Sequence, residues 1–169
     1  LYPLDKVVVP KIFEEDLDDV PEIGKSFAAA RRSDLNKIEK QGSIIRAVQA
    51  YLASISYADE QLGRILDVLE SSGYNSNTVI IFWSDHGWHL GEKRHWHKST
   101  LWEESTRIPL IIAVPQLKPD VCNQPVSLLD LYPTLMELCA IKGGHEFDGL
   151  SLMPQLRLAE TKRNPAVIE

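Results

Sequence analysis

An uncharged run, "TVIIFW" at 78–83, separates a long amphipathic segment from a stretch crowded with charged and imidazole side chains. Short apolar runs rich in β-branched and aromatic residues are typical of strands covered on both faces, as in parallel sheets. A second run of this kind, "IPLIIAVP", begins at Ile108. The two runs predict two buried strands of a mostly parallel sheet.

Helical patterns lie on either side of these runs. Over 44–69, apolar residues recur at alternating steps of four and three, which puts them on one stripe of a helix that Gly73 ends. A short helix is predicted at 100–107, and another at 129–141 with Asp130 as its cap. Helices alternating with strands predict an α/β layered fold, in which helices flank the sheet.

The length of 169 residues fits about one domain. We expect an irregular N-terminal segment at 1–40, where prolines and acidic residues concentrate, with a short helix near 27–35 as an alternative. An α/β core is expected at 41–157 and a tail at 158–169. Gly63 lies inside the long predicted helix at a cost in helix propensity, which predicts a close packing contact there.

Composition narrows the classes of function. A net charge of −6 argues against a nucleic-acid partner, which usually requires a basic face. No apolar run approaches the roughly 20 residues of a membrane span. Cys122 and Cys139 are too few for a disulfide framework and lack metal-ligand spacing, and Cys139 is predicted to be a buried thiol.

The stretch "SDHGWHLGEKRHWHK", 84–98, carries the candidate chemistry. In α/β folds, ligands bind beyond the carboxyl ends of strands, and Asp85 and His86 are the first ionisable residues there. A carboxylate oxygen and an imidazole nitrogen provide half of a divalent-cation site. Gly87 allows a sharp turn, and Lys98 is far enough along the chain to fold back as a cation facing an anion.

Other interpretations of this stretch stay open. Asp85 at a strand end is also a common turn former. Lys93 and Arg94 could form an ordinary solvated face. A zinc site is a further alternative, because histidine is a common zinc ligand, although the spacing matches no structural zinc motif. Its ligands would be His86, His89, His95 and His97.

The stretch "FWSDHGWHLGEKRHWHKSTLWEESTRIPLIIAVP" resembles a block of the sulfatases of the alkaline phosphatase superfamily. In that block a strand is followed by Asp-His/Asn-Gly, Leu-Gly-Glu/Asp, Trp, Lys and an Arg-Ile/Val-Pro-Leu strand. "YLASISYADEQLGRIL" and "VSLLDLYPTLMELCAI" resemble the helices before and after it. With the opening "LYPLDKVVVP", the chain is most similar to the iduronate-2-sulfatase and choline-sulfatase branch. The resemblance implies the C-terminal half of an alkaline-phosphatase-like catalytic domain.

The resemblance also implies roles for individual residues. Asp85 and His86 match two ligands of a single divalent cation, calcium with magnesium as the alternative, that polarises the sulfate ester. Lys98 matches the catalytic lysine that contacts the sulfate group and offsets charge on the bridging oxygen. The substrate subsite is predicted to be lined by Lys98 together with His89, His95 and His97.

Sulfatases attack with a formylglycine made from the Cys or Ser of a C/S-x-P/A-S-R motif, and neither Cys122 nor Cys139 has that context. The resemblance therefore implies a fragment that is inactive alone and whose nucleophile lies outside this chain. The expected partners are a second copy or the N-terminal half of the parent chain, since half a sheet exposes a strand edge. The family implies a periplasmic, extracellular or lysosomal location.

Three functions remain. The first is a sulfatase fragment whose parent enzyme hydrolyses a sulfated small molecule or glycan. The second is a phosphonate or phosphate monoester hydrolase of the same superfamily. The third is a non-catalytic, truncated module that binds sulfated glycans or a partner protein.

Overall fold

The computed structural model describes residues 1–31, 33–143 and 146–166. Its helices are α1 (Glu22–Arg31), α2 (Ser33–Lys40), α3 (Ile44–Ser72), α4 (Glu103–Thr106), α5 (Leu131–Leu138) and α6 (Met153–Arg157). Its strands are β1 (Ile80–Trp83), β2 (His89–Leu90), β3 (Trp96–His97) and β4 (Leu110–Ala113). No helix in the described ranges has the length and apolar character needed to cross a membrane.

The chain divides into two units. The first contains Leu1–Ser76 and His86–Pro109, and the second contains Asn77–Asp85 and Leu110–Glu169. Each is described by itself below.

The long helix of the first unit confirms the periodic pattern. α3 ends at Gly73, whose φ of 76° is the left-handed conformation that glycine adopts without a Cβ clash. The close contact predicted at Gly63 is not found among the described residues, where a Cβ built on Gly63 would meet no atom within 4 Å outside the backbone of its own helix.

The N-terminal segment is more helical than the irregular one predicted, since α1 and α2 occupy much of 22–40. Pro21 begins α1 instead of breaking it, and its carbonyl accepts a hydrogen bond from the backbone N–H of Lys25 at 3.0 Å. Proline is compatible with a helix start because the N–H it lacks has no partner within the helix there.

The core of the first unit joins α2, α3 and β3. Leu35, Val48 and Trp96 are buried against one another. Eight partly buried apolar residues pack around them: Val7, Val9, Ile12, Ile38, Ile44, Ala47, Leu52 and Leu90. β2 and β3 form an antiparallel ladder in which His89 faces His97 and Leu90 faces Trp96. The core therefore fixes the loop that carries the candidate chemistry.

In the second unit, β1 pairs antiparallel with β4, with Ile80 opposite Ala113 and Trp83 opposite Leu110. Both ladders of the described residues are antiparallel, which corrects the mostly parallel sheet predicted from the two apolar runs. An apolar run indicates what covers a strand but not its direction, because side chains alternate in the same way in both arrangements.

The side chain of Asp130 has a different role from that of the predicted helix cap. Asp130 occupies the N-terminal cap position of α5, as predicted, but its side chain makes no capping hydrogen bond to that helix. Its carboxylate instead belongs to a capping box of the turn at 128–130, which Ser127 begins, and accepts from the Ser127 N–H at 2.7 Å. The same carboxylate accepts from the Leu150 N–H and from the Arg163 guanidinium, both at 2.8 Å. The segment predicted as a tail is thus held to the second unit.

Both cysteines are free and exposed, which corrects the predicted burial of Cys139. Cys139 lies just beyond the last residue of α5, Leu138, and so falls outside the helix turns that pack inward.

Candidate functional site

The residues predicted to bind metal follow β1 directly. β1 ends at Trp83, and Asp85 is exposed two residues later. His86 is half-buried and begins the second segment of the first unit. Asp85 thus lies just beyond the end of β1 in the second unit, and the metal-binding role of both residues stays a prediction.

The contact of the His86 ring determines its tautomer. Nδ1 lies 2.8 Å from the carbonyl oxygen of Gly87, and because a carbonyl only accepts, Nδ1 carries the proton. In neutral His86 the lone pair is then on Nε2. A hydrogen bond from the second ring nitrogen is how proteins orient an imidazole that ligates a metal.

Gly87 is needed for close approach to α4. Its N–H donates to the Ser105 carbonyl at 2.8 Å, and a Cβ built on Gly87 would lie 2.0 Å from the carbonyl oxygen of Glu104. The left-handed glycine of this stretch is instead Gly91, with φ of 130°. Gly87 therefore lets α4 pack directly against the backbone next to His86.

Trp88 forms the centre of an aromatic group on the first unit. Its ring centroid lies 4.4 Å from that of His97, 6.1 Å from that of Tyr51 on α3 and 6.3 Å from that of His86. All four side chains are half-buried. His97 therefore has a partly accessible ring, and its predicted place in a substrate subsite stays a prediction.

Two further histidines are enclosed. His89 and His95 are 0% and 1% exposed, and their ring centroids lie 5.0 Å apart in an edge-to-face arrangement. Their burial leaves no surface that a substrate could touch. The structure therefore does not support the predicted place of these two residues in a substrate subsite.

Burial keeps His89 neutral. It lowers the pKa of His89, and a hydrogen bond to the Glu92 carbonyl at 3.1 Å offsets this only in part. Nδ1 donates to that carbonyl, and Nε2 lies 2.7 Å from the Thr100 hydroxyl oxygen. Both ring nitrogens are thus used within the protein, which leaves His89 no lone pair for the zinc alternative.

Lys98 follows β3 and is half-buried. Its carbonyl oxygen accepts a hydrogen bond from Nε2 of His95 at 2.9 Å. The residues on either side, His97 and Ser99, have φ of 88° and 76°. The backbone at Lys98 is therefore held in an unusual conformation by a buried contact.

Lys93 and Arg94 do not form the solvated face considered above. Nζ of Lys93 lies 3.1 Å from the Asp16 carboxylate, and the backbone N–H of Lys93 donates to the same carboxylate at 2.7 Å. Arg94 makes two parallel hydrogen bonds to Glu39 of α2, at 2.9 and 3.1 Å, and an ion pair with Glu14. Bidentate hydrogen bonds between a guanidinium and a carboxylate are stronger than hydrogen bonds between neutral groups.

These contacts raise the pKa of both Lys93 and Arg94. Burial alone would lower the pKa of Lys93, but Asp16, through a hydrogen bond and its charge, raises it above the ordinary value with help from Asp19. The hydrogen bond to Glu39 raises the pKa of Arg94. Both groups stay charged at physiological pH and hold the loop to the N-terminal segment and α2.

Asp16, Glu39 and Thr100 are the supporting residues that sequence reasoning missed. The acidic run at 14–19 and the basic pair at 93–94 have opposite charge, and that complementarity was the available signal. Pattern reading does not join segments that lie 77 residues apart, as Asp16 and Lys93 do.

The residues fit a divalent cation only in part. His86 has the tautomer that a ligand needs, and Asp85 provides a carboxylate, the group that calcium prefers. However, no group of three or more His, Cys, Asp or Glu side chains in 1–31, 33–143 and 146–166 could hold an ion. A cation at this position therefore needs further ligands.

Comparison with known proteins shows a similarity that extends well beyond residues 84–98. The family model described as Sulfatase matches residues 11–141. A sulfatase of Formosa agariphila is 38% identical over 167 residues, which cover 95% of this chain and 32% of that protein. A choline-sulfatase of Rhizobium meliloti is 38% identical over 130 residues, 75% of this chain and 25% of that protein. The chain thus spans a third or less of these relatives.

A solved structure shows the same similarity in three dimensions. The phosphonate monoester hydrolase of Silicibacter pomeroyi superposes with a TM-score of 0.75 at 27% identity. The superposition covers 93% of this chain and 33% of that one.

Proposed function

Because the chain belongs to the sulfatase family, with an alkaline-phosphatase-like fold, we propose that it is part of an enzyme that hydrolyses sulfate esters. The observation that carries the proposal is the 38% identity to a sulfatase along 95% of this chain, which includes all of 84–98. The substrate would be a sulfated small molecule or glycan, and the isolated chain would be inactive.

We propose that Asp85 and His86 each provide one ligand to a divalent cation, calcium or magnesium. Such an ion, when bound, acts as a Lewis acid toward the sulfate group. The proton on Nδ1 of His86, given to the Gly87 carbonyl, supports this role because the lone pair of the neutral ring is then on Nε2, the nitrogen that would ligate the ion. The remaining ligands and the formylglycine nucleophile would come from outside residues 1–169.

Lys98 would contact the sulfate group. A cation placed where the bridging oxygen gains charge stabilises the transition state more than the ground state. The backbone contact from His95 and the flanking left-handed residues support this role, because they fix the position from which the side chain extends.

A second candidate is a phosphonate monoester hydrolase. The structural similarity to such an enzyme, at a TM-score of 0.75, favours it. Both reactions displace an alcohol from a tetrahedral anionic group, so the residues of this chain would have the same roles in either one.

The test is the turnover of a sulfate ester by the full-length protein and by its Lys98→Ala variant. We expect the substitution to lower kcat by roughly 100-fold or more, the scale on which loss of a preorganised charge-stabilising group acts. Lys118→Ala is the matched control, since Lys118 is exposed in the loop after β4. Equal activity of the Lys98→Ala variant and wild type would contradict the assigned role.

A further inference from the structure

The backbone that carries Lys98 has a conformation that needs support. His97 and Ser99 both have φ in the left-handed region, at 88° and 76°. Residues with a Cβ avoid this region because the Cβ approaches the carbonyl oxygen, and they persist there only when surrounding contacts hold them. The supporting contacts therefore decide where the Lys98 side chain starts.

A buried imidazole provides one of these contacts. Nε2 of His95 donates to the Lys98 carbonyl oxygen at 2.9 Å, and His95 is 1% exposed. Because the donor ring is enclosed, water competes with this hydrogen bond less than with an exposed one, so the bond restricts the orientation of the backbone.

The second buried histidine reinforces the first. The ring of His89 meets that of His95 edge to face, and its Nε2 contacts the Thr100 hydroxyl at 2.7 Å. The Thr100 hydroxyl oxygen is in turn 3.0 Å from that of Ser105 in α4. The pair of histidines therefore contacts the chain at Lys98 and again two residues later.

We propose that His95 is a positioning residue for Lys98. It touches no substrate and acts only through the Lys98 carbonyl, which fixes the direction in which the lysine side chain leaves the backbone. The inference rests on the proposed function, in which Lys98 contacts the sulfate group. It adds His95, a buried residue that would affect activity without touching the substrate.

The requirement is for a donor at the position of Nε2 and not for an ionisable group. Glutamine places an amide nitrogen near that position and keeps the hydrogen bond. Leucine fills similar space without a donor and removes this hydrogen bond from the Lys98 carbonyl. The two substitutions therefore separate the hydrogen bond from the packing of the ring.

The experiment compares His95→Leu, His95→Gln and Val48→Ala in the full-length protein. Val48 is a buried core residue of the same unit, so its truncation lowers stability without touching Lys98. Sulfate-ester kinetics are measured well below every melting temperature. We expect His95→Leu to lose roughly 10- to 100-fold in kcat, with a smaller change in KM, as for a misplaced catalytic group. His95→Gln and Val48→Ala should keep most of the wild-type kcat.

Hydrogen exchange of the peptide that spans 96–100, followed by mass spectrometry, provides a readout without activity. Faster exchange in His95→Leu than in His95→Gln would support the proposal. Equal exchange in the two variants, or equal kcat losses in His95→Leu and Val48→Ala, would overturn it. If the wild type turns over no sulfate ester, the proposed function fails, and the exchange result alone decides whether His95 holds the Lys98 backbone.

Discussion

At the residue scale, the neighbours of each histidine decide what its imidazole does. His86 is half-buried, and its ring is oriented by a hydrogen bond to the carbonyl oxygen of the next residue, Gly87. His89 is enclosed, and both of its ring nitrogens make hydrogen bonds. His95 shares that enclosure, and its Nδ1 is buried without a hydrogen-bond partner in the described part of the chain. These three histidines, within ten positions, therefore differ in burial and in hydrogen bonding.

The buried neutral state of His89 predicts a dependence of stability on pH. Its pKa is lowered in the folded protein, so below about pH 6.5 the unfolded chain binds a proton that the folded one does not. The free energy of unfolding should therefore fall as pH drops below about 6.5, until the folded pKa is reached. His95 adds to this effect, and Glu92 and Glu104 oppose it.

Urea denaturation of wild type and His89→Asn at pH 7.5 and 5.5 measures this effect. Asparagine can still donate to the Glu92 carbonyl but does not titrate. The stability advantage of wild type over the variant should be smaller at pH 5.5. An advantage that grows at the lower pH would show that His89 gains its proton more readily in the folded state.

The sequence predicts Asp85, His86 and Lys98 because they belong to one short motif. It does not predict the enclosure of His89 and His95, since burial depends on α4 and on the loop at 92–98 folding around them. The contact between Arg94 and Glu39 joins residues 55 positions apart, beyond any local pattern.

At the element scale, the glycine that faces α4 and the glycine within α3 differ in the space available for a side chain. α4 approaches the backbone at Gly87 so closely that a methyl group has no room. α3 passes Gly63 with open space around it. Equal substitutions at the two positions should therefore have opposite effects.

Gly87→Ala should destabilise the protein by about 1–3 kcal/mol, because α4 must shift to accept the added carbon. Gly63→Ala should stabilise it by about 0.5–1 kcal/mol, since alanine loses less backbone entropy in a helix. Thermal unfolding of both variants measures the two effects. Loss of stability in Gly63→Ala would reveal a packing contact at that position.

The buried pair of Asp130 and Arg163 joins the C-terminal segment to the start of α5. Asp130 is 2% exposed and accepts from the Ser127 and Leu150 backbones as well. Asp130→Ala should cost about 3–5 kcal/mol, because it leaves the Arg163 guanidinium buried without its counter-charge. Exposed Asp148→Ala is the control in chemical denaturation, and equal losses in the two variants would contradict this account.

The positions of elements with a strong sequence pattern could be predicted, but the relative direction of paired strands could not. The stripe on α3, its glycine end and the positions of β1 and β4 follow from local patterns. The antiparallel pairing of β1 with β4 depends on how the intervening residues return the chain. α1 begins directly after Pro21, in a segment whose proline and acidic content predicts irregular structure.

At the scale of the whole molecule, the family match and the partial cation site agree. The chain covers 32% of a sulfatase relative, and its described residues hold no group of three metal-ligating side chains. Under the proposed function, this chain would contribute Lys98, Asp85 and His86 to a site completed by other residues. A net charge of −6 means that attraction to an anionic ester would have to come from local groups such as Lys98.

The most direct test compares, in the full-length protein, kcat/KM for 4-nitrophenyl sulfate with that for the phosphonate monoester of the same phenol. The account predicts that the sulfate ester is hydrolysed with the higher kcat/KM. A higher kcat/KM for the phosphonate ester, or no turnover of either ester, would contradict it.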